Sequence, residues 1–156
     1  MKKSLHEIVR RTCGRGTNNG NDTLIAGTGG GTMAGGAGSD TYVFNQNSGN
    51  VSIWDTPKSF SDVISFGTGI SADSVSLSLY GDELIIDYGT QKNRITFQDV
   101  AFYGSAKGQV IGQFLFADGT QGAYSFDAQG DVIWNVYDVK YCKYEAENDA
   151  AGRIAA

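Results

Sequence analysis

The chain is poor in the residues that most enzyme and metal chemistry draws on. It has one histidine (His6), two cysteines (Cys13 and Cys142) and one proline (Pro57) in 156 residues. With a single imidazole, any Ser-His-Asp or Cys-His arrangement would have to pass through His6. Cys13 follows seven residues later, which is not a helical-neighbour spacing. The cysteines lack the short spacing of a zinc or redox motif; they could pair across the ends of the chain or stay as thiols. No apolar run approaches the ~20 residues of a membrane helix. The start, M-K-K-S-L-H-E-I-V-R-R, is basic but carries no apolar stretch behind it, so a cleavable secretory signal is not expected. The run G-T-G-G-G at 27–31 lacks the Lys-Ser/Thr of a phosphate loop and leads into a strand triplet rather than a helix. No pair of carboxylates stands apart from turn positions as a glycosidase pair would. A non-catalytic protein is the expectation.

What is present begins with uneven charge. Residues 1–16 hold five Lys/Arg and one Glu, a balance of +4, so the net charge of −5 leaves −9 on the remainder. An acidic body disfavours nucleic acid and favours divalent cations. Apolar residues make up 40% and aromatics 12%, enough for a real core in one domain or in two small units.

Glycine is the second asymmetry: ten of the 22 fall within residues 14–38. There the chain reads T-N-N-G-N-D-T-L-I, A-G-T-G-G-G-T-M-A and G-G-A-G-S-D-T-Y-V, three tandem nine-residue units over 17–43. The third fits G-G-x-G-x-D-x-U-x, where U is a large apolar residue. Six residues turn and three extend, and the central residues Leu24, Met33 and Tyr42 are predicted to point inward. Two units complete one coil, so Asp22 and Asp40, 18 residues apart, face each other on adjacent turns amid main-chain carbonyls. Hard oxygen donors of this kind suit Ca²⁺. Two facing carboxylates on a glycine-rich backbone also predict that folding of 17–43 is coupled to metal binding.

The repeat resembles the RTX family, the haemolysin-type calcium-binding proteins. That resemblance implies a ligand set of Asn18, Gly20 and Asp22 from one turn with Gly35, Ala37 and Asp40 from the next, the aspartates through side chains and the others through carbonyls. Unit one has Thr17-Asn18 where the family has two glycines, and Asn is the best non-glycine residue for the left-handed region. Unit two has Gly31 in place of the aspartate, and the turn N-S-G-N-V at 47–51 carries no carboxylate. One ion is therefore expected, with at most a second, weaker one. Asp55 and Asp62 could add a cation site near the end of the repeat, although ending a strand or shaping a turn is the commoner job of aspartate.

Beyond the repeat, short alternating runs predict strands at 42–44, 51–54, 63–66, 75–79, 84–88, 94–97, 110–116, 122–126 and 132–136. A single helical turn is expected at 71–73. Asp118-Gly119 predicts a type I′ hairpin turn, and 80–83 and 89–93 read as hairpin loops. The runs D-V-I-S-F-G-T-G-I (62–70), D-E-L-I-I (82–86) and Q-F-L-F-A-D-G-T (113–120) together look like the haemolysin-type calcium-binding-related domain that follows RTX repeats in many secreted bacterial proteins. The expected class is all-β: a short calcium-binding parallel β-roll continuing into a mainly antiparallel β domain. Its divisions are a basic segment, 1–16, with Leu5, Ile8 and Val9 spaced for one or two helical turns; the repeats, 17–43; the β-rich domain, 44–137; and a tail, 138–156.

The resemblance implies a non-catalytic module that folds on extracellular calcium and supports secretion and folding of a larger type I-secreted protein. Its partners would be calcium ions and a secretion apparatus or passenger domain, with no nucleic acid and no membrane span. Its place would be secreted or extracellular, without a cleavable N-terminal signal. The alternative is an adhesion or glycan-binding domain that calcium merely rigidifies. Trp54, Trp134 and the eight tyrosines could then form a sugar-stacking face, although such residues more often fill a β core.

Overall fold

The computed structural model describes residues 5–7, 20–54, 62–98 and 111–137. Their regular structure is almost entirely β: β1 (Leu5–Glu7), β2 (Thr23–Ile25), β3 (Gly31–Met33), β4 (Thr41–Phe44), β5 (Val51–Ile53), β6 (Asp62–Phe66), β7 (Ser76–Tyr80), β8 (Glu83–Tyr88), β9 (Asn93–Phe97), β10 (Ile111–Phe116), β11 (Gln121–Phe126) and β12 (Val132–Tyr137). One 3-10 turn, Ala72–Ser74, precedes β7.

Two mixed sheets result. The larger runs β1-β2-β4-β6-β10-β11-β12 and the smaller β3-β5-β9-β8-β7. From β2 to β6 the chain alternates between them, because each short strand is bounded by turn residues that send it across to the other layer. Parallel neighbours fall in register: Thr23 with Thr41 and Val63 in the larger sheet, Gly31 with Val51 and Ile95 in the smaller. Each sheet then finishes antiparallel, through β10-β11-β12 and β9-β8-β7. The all-β expectation holds. Both sheets are mixed, and parallel pairing does not stop with the repeat: β4–β6, β6–β10 and β5–β9 still pair parallel beyond residue 43.

The core lies between the layers. Leu24, Met33 and Tyr42 point into it and are fully buried, as the triplets predict. An aromatic cluster joins the sheets, with Phe66 5.2 Å from Tyr88 and 5.1 Å from Phe116, and Phe114 4.8 Å edge-on to Trp134. Burying each such ring contributes roughly 1.5–3 kcal/mol, so this cluster anchors the stacked turns next to it.

Two local expectations are corrected. Leu5–Glu7 is a strand, paired parallel with Thr23–Ile25, not a helical turn. The open edge of β2 offers backbone partners that a three-residue apolar spacing in a short helix cannot match. The β10–β11 hairpin forms, but not through a type I′ turn. Gly119 has φ 91° while Asp118 does not enter the positive-φ region. Gly119 N–H donates to the Phe116 carbonyl and Phe116 N–H to that of Thr120, a longer loop with its glycine at the left-handed position. The Asp118 carboxylate accepts from Thr120 N–H at 2.8 Å, which favours this turn over the tighter one.

Candidate metal centre

In-register pairing decides where the aspartates go. Asp22 and Asp40 immediately precede β2 and β4, and Asp62 opens β6. Because Thr23, Thr41 and Val63 are aligned, the three aspartates stack in one column along the edge of the larger sheet. All three are buried, at 4%, 0% and 1% exposure. The side chains reach back along the column: Asp40 Oδ1 accepts the Asp22 N–H and Asp62 Oδ1 accepts the Asp40 N–H, both at 2.8 Å. Carbonyls run the other way, with Thr41 N–H donating to Asp22 O and Val63 N–H to Asp40 O.

The glycine-rich turns pack directly onto this column. Gly20 N–H donates to the Ala37 carbonyl at 2.8 Å, and Ser39 N–H to Asn21 Oδ1 at 2.9 Å. Gly35 N–H donates to Tyr42 Oη at 3.0 Å. A Cβ at Gly35 would fall on the Asp40 carboxylate and the Tyr42 hydroxyl, so glycine there is a matter of space rather than of φ. Gly38, at φ 140°, sits against the Gly20 carbonyl.

Of the expected ligand set, Gly20, Asp22, Gly35, Ala37 and Asp40 are thus brought together on two adjacent turns. Asn18 lies outside the described residues, as does Asp55. Asp62 forms the third rung of the Asp22–Asp40 column, at the end of the repeat, while a pairing with Asp55 falls outside the described residues. The signal was present: D-V-I-S repeats the aspartate-then-strand pattern of D-T-L-I and D-T-Y-V, but 22 residues on rather than 18.

Carboxylates stacked one strand apart repel one another when both are charged. Two unit charges at the strand spacing of ~4.8 Å repel by roughly 3 kcal/mol at an effective dielectric constant of about 20. Asp22 Oδ2 is buried without a hydrogen-bond partner among the described residues. A carbonyl has two lone pairs, so Ala37 O can accept from Gly20 and still face an ion. Among the described residues no three His, Cys, Asp or Glu side chains converge to hold a metal.

The turns of the opposite edge hold no column of carboxylates, and the charges beside them, Arg94 and Asp87, pair with each other at 2.8 Å. Gly31 N–H donates to the Asn50 carbonyl, and Asn50 Oδ1 accepts from Arg94 N–H at 3.0 Å. Asn93 Nδ2 donates to the Gln46 carbonyl at 2.7 Å, and Ser48 Oγ to that of Ala26 at 3.0 Å. Beside this edge the buried Tyr88 hydroxyl is pushed up to about 12, chiefly by burial, with the neighbouring Ser48 hydroxyl offsetting part of the rise.

The other residues singled out by sequence separate clearly. Cys13 and Cys142 lie outside the described residues. Trp134 packs on Phe114 and Phe116, while Trp54 and Tyr80 are exposed. Among the described residues no helix is long and apolar enough to cross a membrane, which leaves crossing by strands untouched. No family model matches the chain, and neither the curated proteins nor the solved structures contain a significant match to it.

Proposed function

We propose that this chain is a non-catalytic, calcium-binding module of RTX type. The supporting observation is the buried column of Asp22, Asp40 and Asp62 beside carbonyl-bearing turns, with one carboxylate oxygen of Asp22 left without a hydrogen bond among the described residues. The alternation of β2–β6 between the sheets is read as the coil of a short parallel β-roll, and Ca²⁺ as the ion lodged between the turns at 18–22 and 35–40. Asp22 and Asp40 supply side-chain oxygen; Asn18, Gly20, Gly35 and Ala37 supply carbonyls. With the ion absent the column repels itself, so the module folds where calcium is plentiful, outside the cell. Its work is then to lock or cap a larger type I-secreted protein, whose passenger and export machinery are its partners.

Calcium titration followed by circular dichroism and scanning calorimetry tests this. The wild type gains structure and stability with Ca²⁺, and Asp40→Ala does not. A wild type indifferent to Ca²⁺ and to chelator refutes the proposal.

A further inference from the structure

The outer face of the smaller sheet carries an arrangement that the calcium reading does not use. Along β5, β9 and β8 the inward residues Ile53, Phe97 and Leu84 are fully buried, so the residues that alternate with them face outward. Register then places four outward residues in one row. Ile53 aligns with Phe97 and Phe97 with Leu84, which sets Trp54 beside Gln98 and Gln98 beside Glu83; Tyr80 pairs directly with Glu83. The two ends of the row are large exposed aromatics, Trp54 at 52% and Tyr80 at 75%. They are separated by three strand spacings, about 14 Å. Between them stand an amide and a carboxylate, and Thr96 and Ser78 add hydroxyls in the next outward row.

Two exposed aromatics at this separation on a sheet face are not core filler. Each offers a flat apolar surface at low entropic cost, and the side chains between them donate and accept hydrogen bonds. A pyranose presents the matching surfaces, with apolar C–H faces and a rim of hydroxyls. Charge narrows the ligand further. The chain carries −5, Glu83 is the single ionisable group between the aromatics, and no cation lies in the row, so polyanions are repelled. We infer that the outer face of the five-stranded sheet is a binding platform for an extended, uncharged polysaccharide, held by Trp54 and Tyr80 at the two ends of one row with Gln98 and Glu83 between them. This platform is independent of the calcium site and does not rest on it.

Affinity electrophoresis in calcium, with fold checked by circular dichroism, tests the assignment. The probes are laminarin, galactomannan, dextran and hydroxyethyl cellulose, with heparin and alginate as polyanions. At least one neutral polymer retards the wild type. Trp54→Ala and Tyr80→Ala each weaken that retardation about tenfold. Tyr137→Ala, an exposed aromatic on the other sheet, binds like the wild type. The inference is overturned if no neutral polymer binds, if only the polyanions bind, if the two platform variants bind undiminished, or if Trp54 proves to be covered by self-association. Because calcium-dependent folding is read separately, loss of either result leaves the other standing.

Discussion

The two edges where the chain crosses between sheets do the same mechanical job by different chemistry. On one, Asp40 and Asp62 accept the N–H groups of Asp22 and Asp40; on the other, Asn50 accepts the N–H of Arg94. Each side chain closes a backbone donor that would otherwise be left open between neighbouring strands. On the second edge the acceptor is an amide, and the charges nearby, Arg94 and Asp87, balance each other. The acidic edge meets the same requirement with groups that repel one another in a buried column. An amide would serve the hydrogen bond without that penalty, so the carboxylates imply a purpose beyond it, and a bound cation is the purpose proposed above.

The comparison breaks most visibly at Asp40. Asp40→Ala removes both the acceptor for Asp22 N–H and the charge. The orphaned donor costs about 1–3 kcal/mol. Loss of the ion removes roughly another 2.7 kcal/mol at calcium one hundredfold above its Kd. Asp40→Asn separates the two, since its Oδ1 keeps the hydrogen bond and only the calcium increment disappears. Chemical denaturation of both variants in calcium and in chelator reads this directly. If the asparagine variant gained as much from calcium as the wild type, the acidic edge would not be the ion site.

A glycine from each edge comes next. Gly30, at φ 67°, packs on the Asn50 backbone, and Gly35 packs on the Asp40 carboxylate. Either one changed to alanine overpacks its turn, with an expected cost of about 1–3 kcal/mol. The distinction lies in calcium: Gly30→Ala loses the same stability with and without the ion, whereas Gly35→Ala also displaces a proposed ligand and flattens the calcium response. Equal calcium responses would mean that the ion does not contact the 35–40 turn.

The sequence made one edge far more legible than the other. Leu24, Met33 and Tyr42 could be placed inward because a nine-residue period fixes both the turn and the strand parity, and Asp22 and Asp40 followed from the same period. The place of Asp62 in the same column was not legible, because the step from Asp40 is four residues longer than the step from Asp22, and a period broken by insertion no longer points to its next member, although the backbone register survives. On the other edge the sequence shows only that Gly31 and the turn at 47–51 lack carboxylates. The replacement network of that edge, Ser48 to Ala26, Asn93 to Gln46 and Asn50 to Arg94, joins residues up to 47 apart, and no local pattern encodes such pairings. The antiparallel strands were visible through alternation, but which sheet each would join depended on tertiary packing of rings such as Phe66 and Tyr88. The N-terminal triplet went wrong for the same reason, since a neighbouring strand edge overrode a helical spacing.

Alkaline titration sharpens the contrast from the second edge. The Tyr88 hydroxyl ionises near 10.0 in the unfolded chain and near about 12 in the folded one. The unfolded state therefore releases its proton first as pH rises. Stability is full below pH 10 and falls between 10 and 12, by about 2–3 kcal/mol at most. Tyr88→Phe removes that part of the alkaline slope; the remaining tyrosines set the background that the variant is compared against. An unchanged slope would show that this hydroxyl is not buried in solution.

Asn50→Ala gives the smallest effect and the cleanest reference. It removes one hydrogen bond, from Arg94 N–H, at a half-exposed edge, so the expected cost is about 1 kcal/mol. The lost bond joins an amide oxygen to a backbone N–H on the edge away from the proposed ion, so that cost is the same in calcium and in chelator. Asp40→Ala removes the equivalent bond on the other edge, so the excess of its cost over that of Asn50→Ala, measured in calcium, isolates what carboxylate and ion add once burial is allowed for. Parity between the two variants would make the aspartates simple strand caps, and the two edges would then differ in residue type alone.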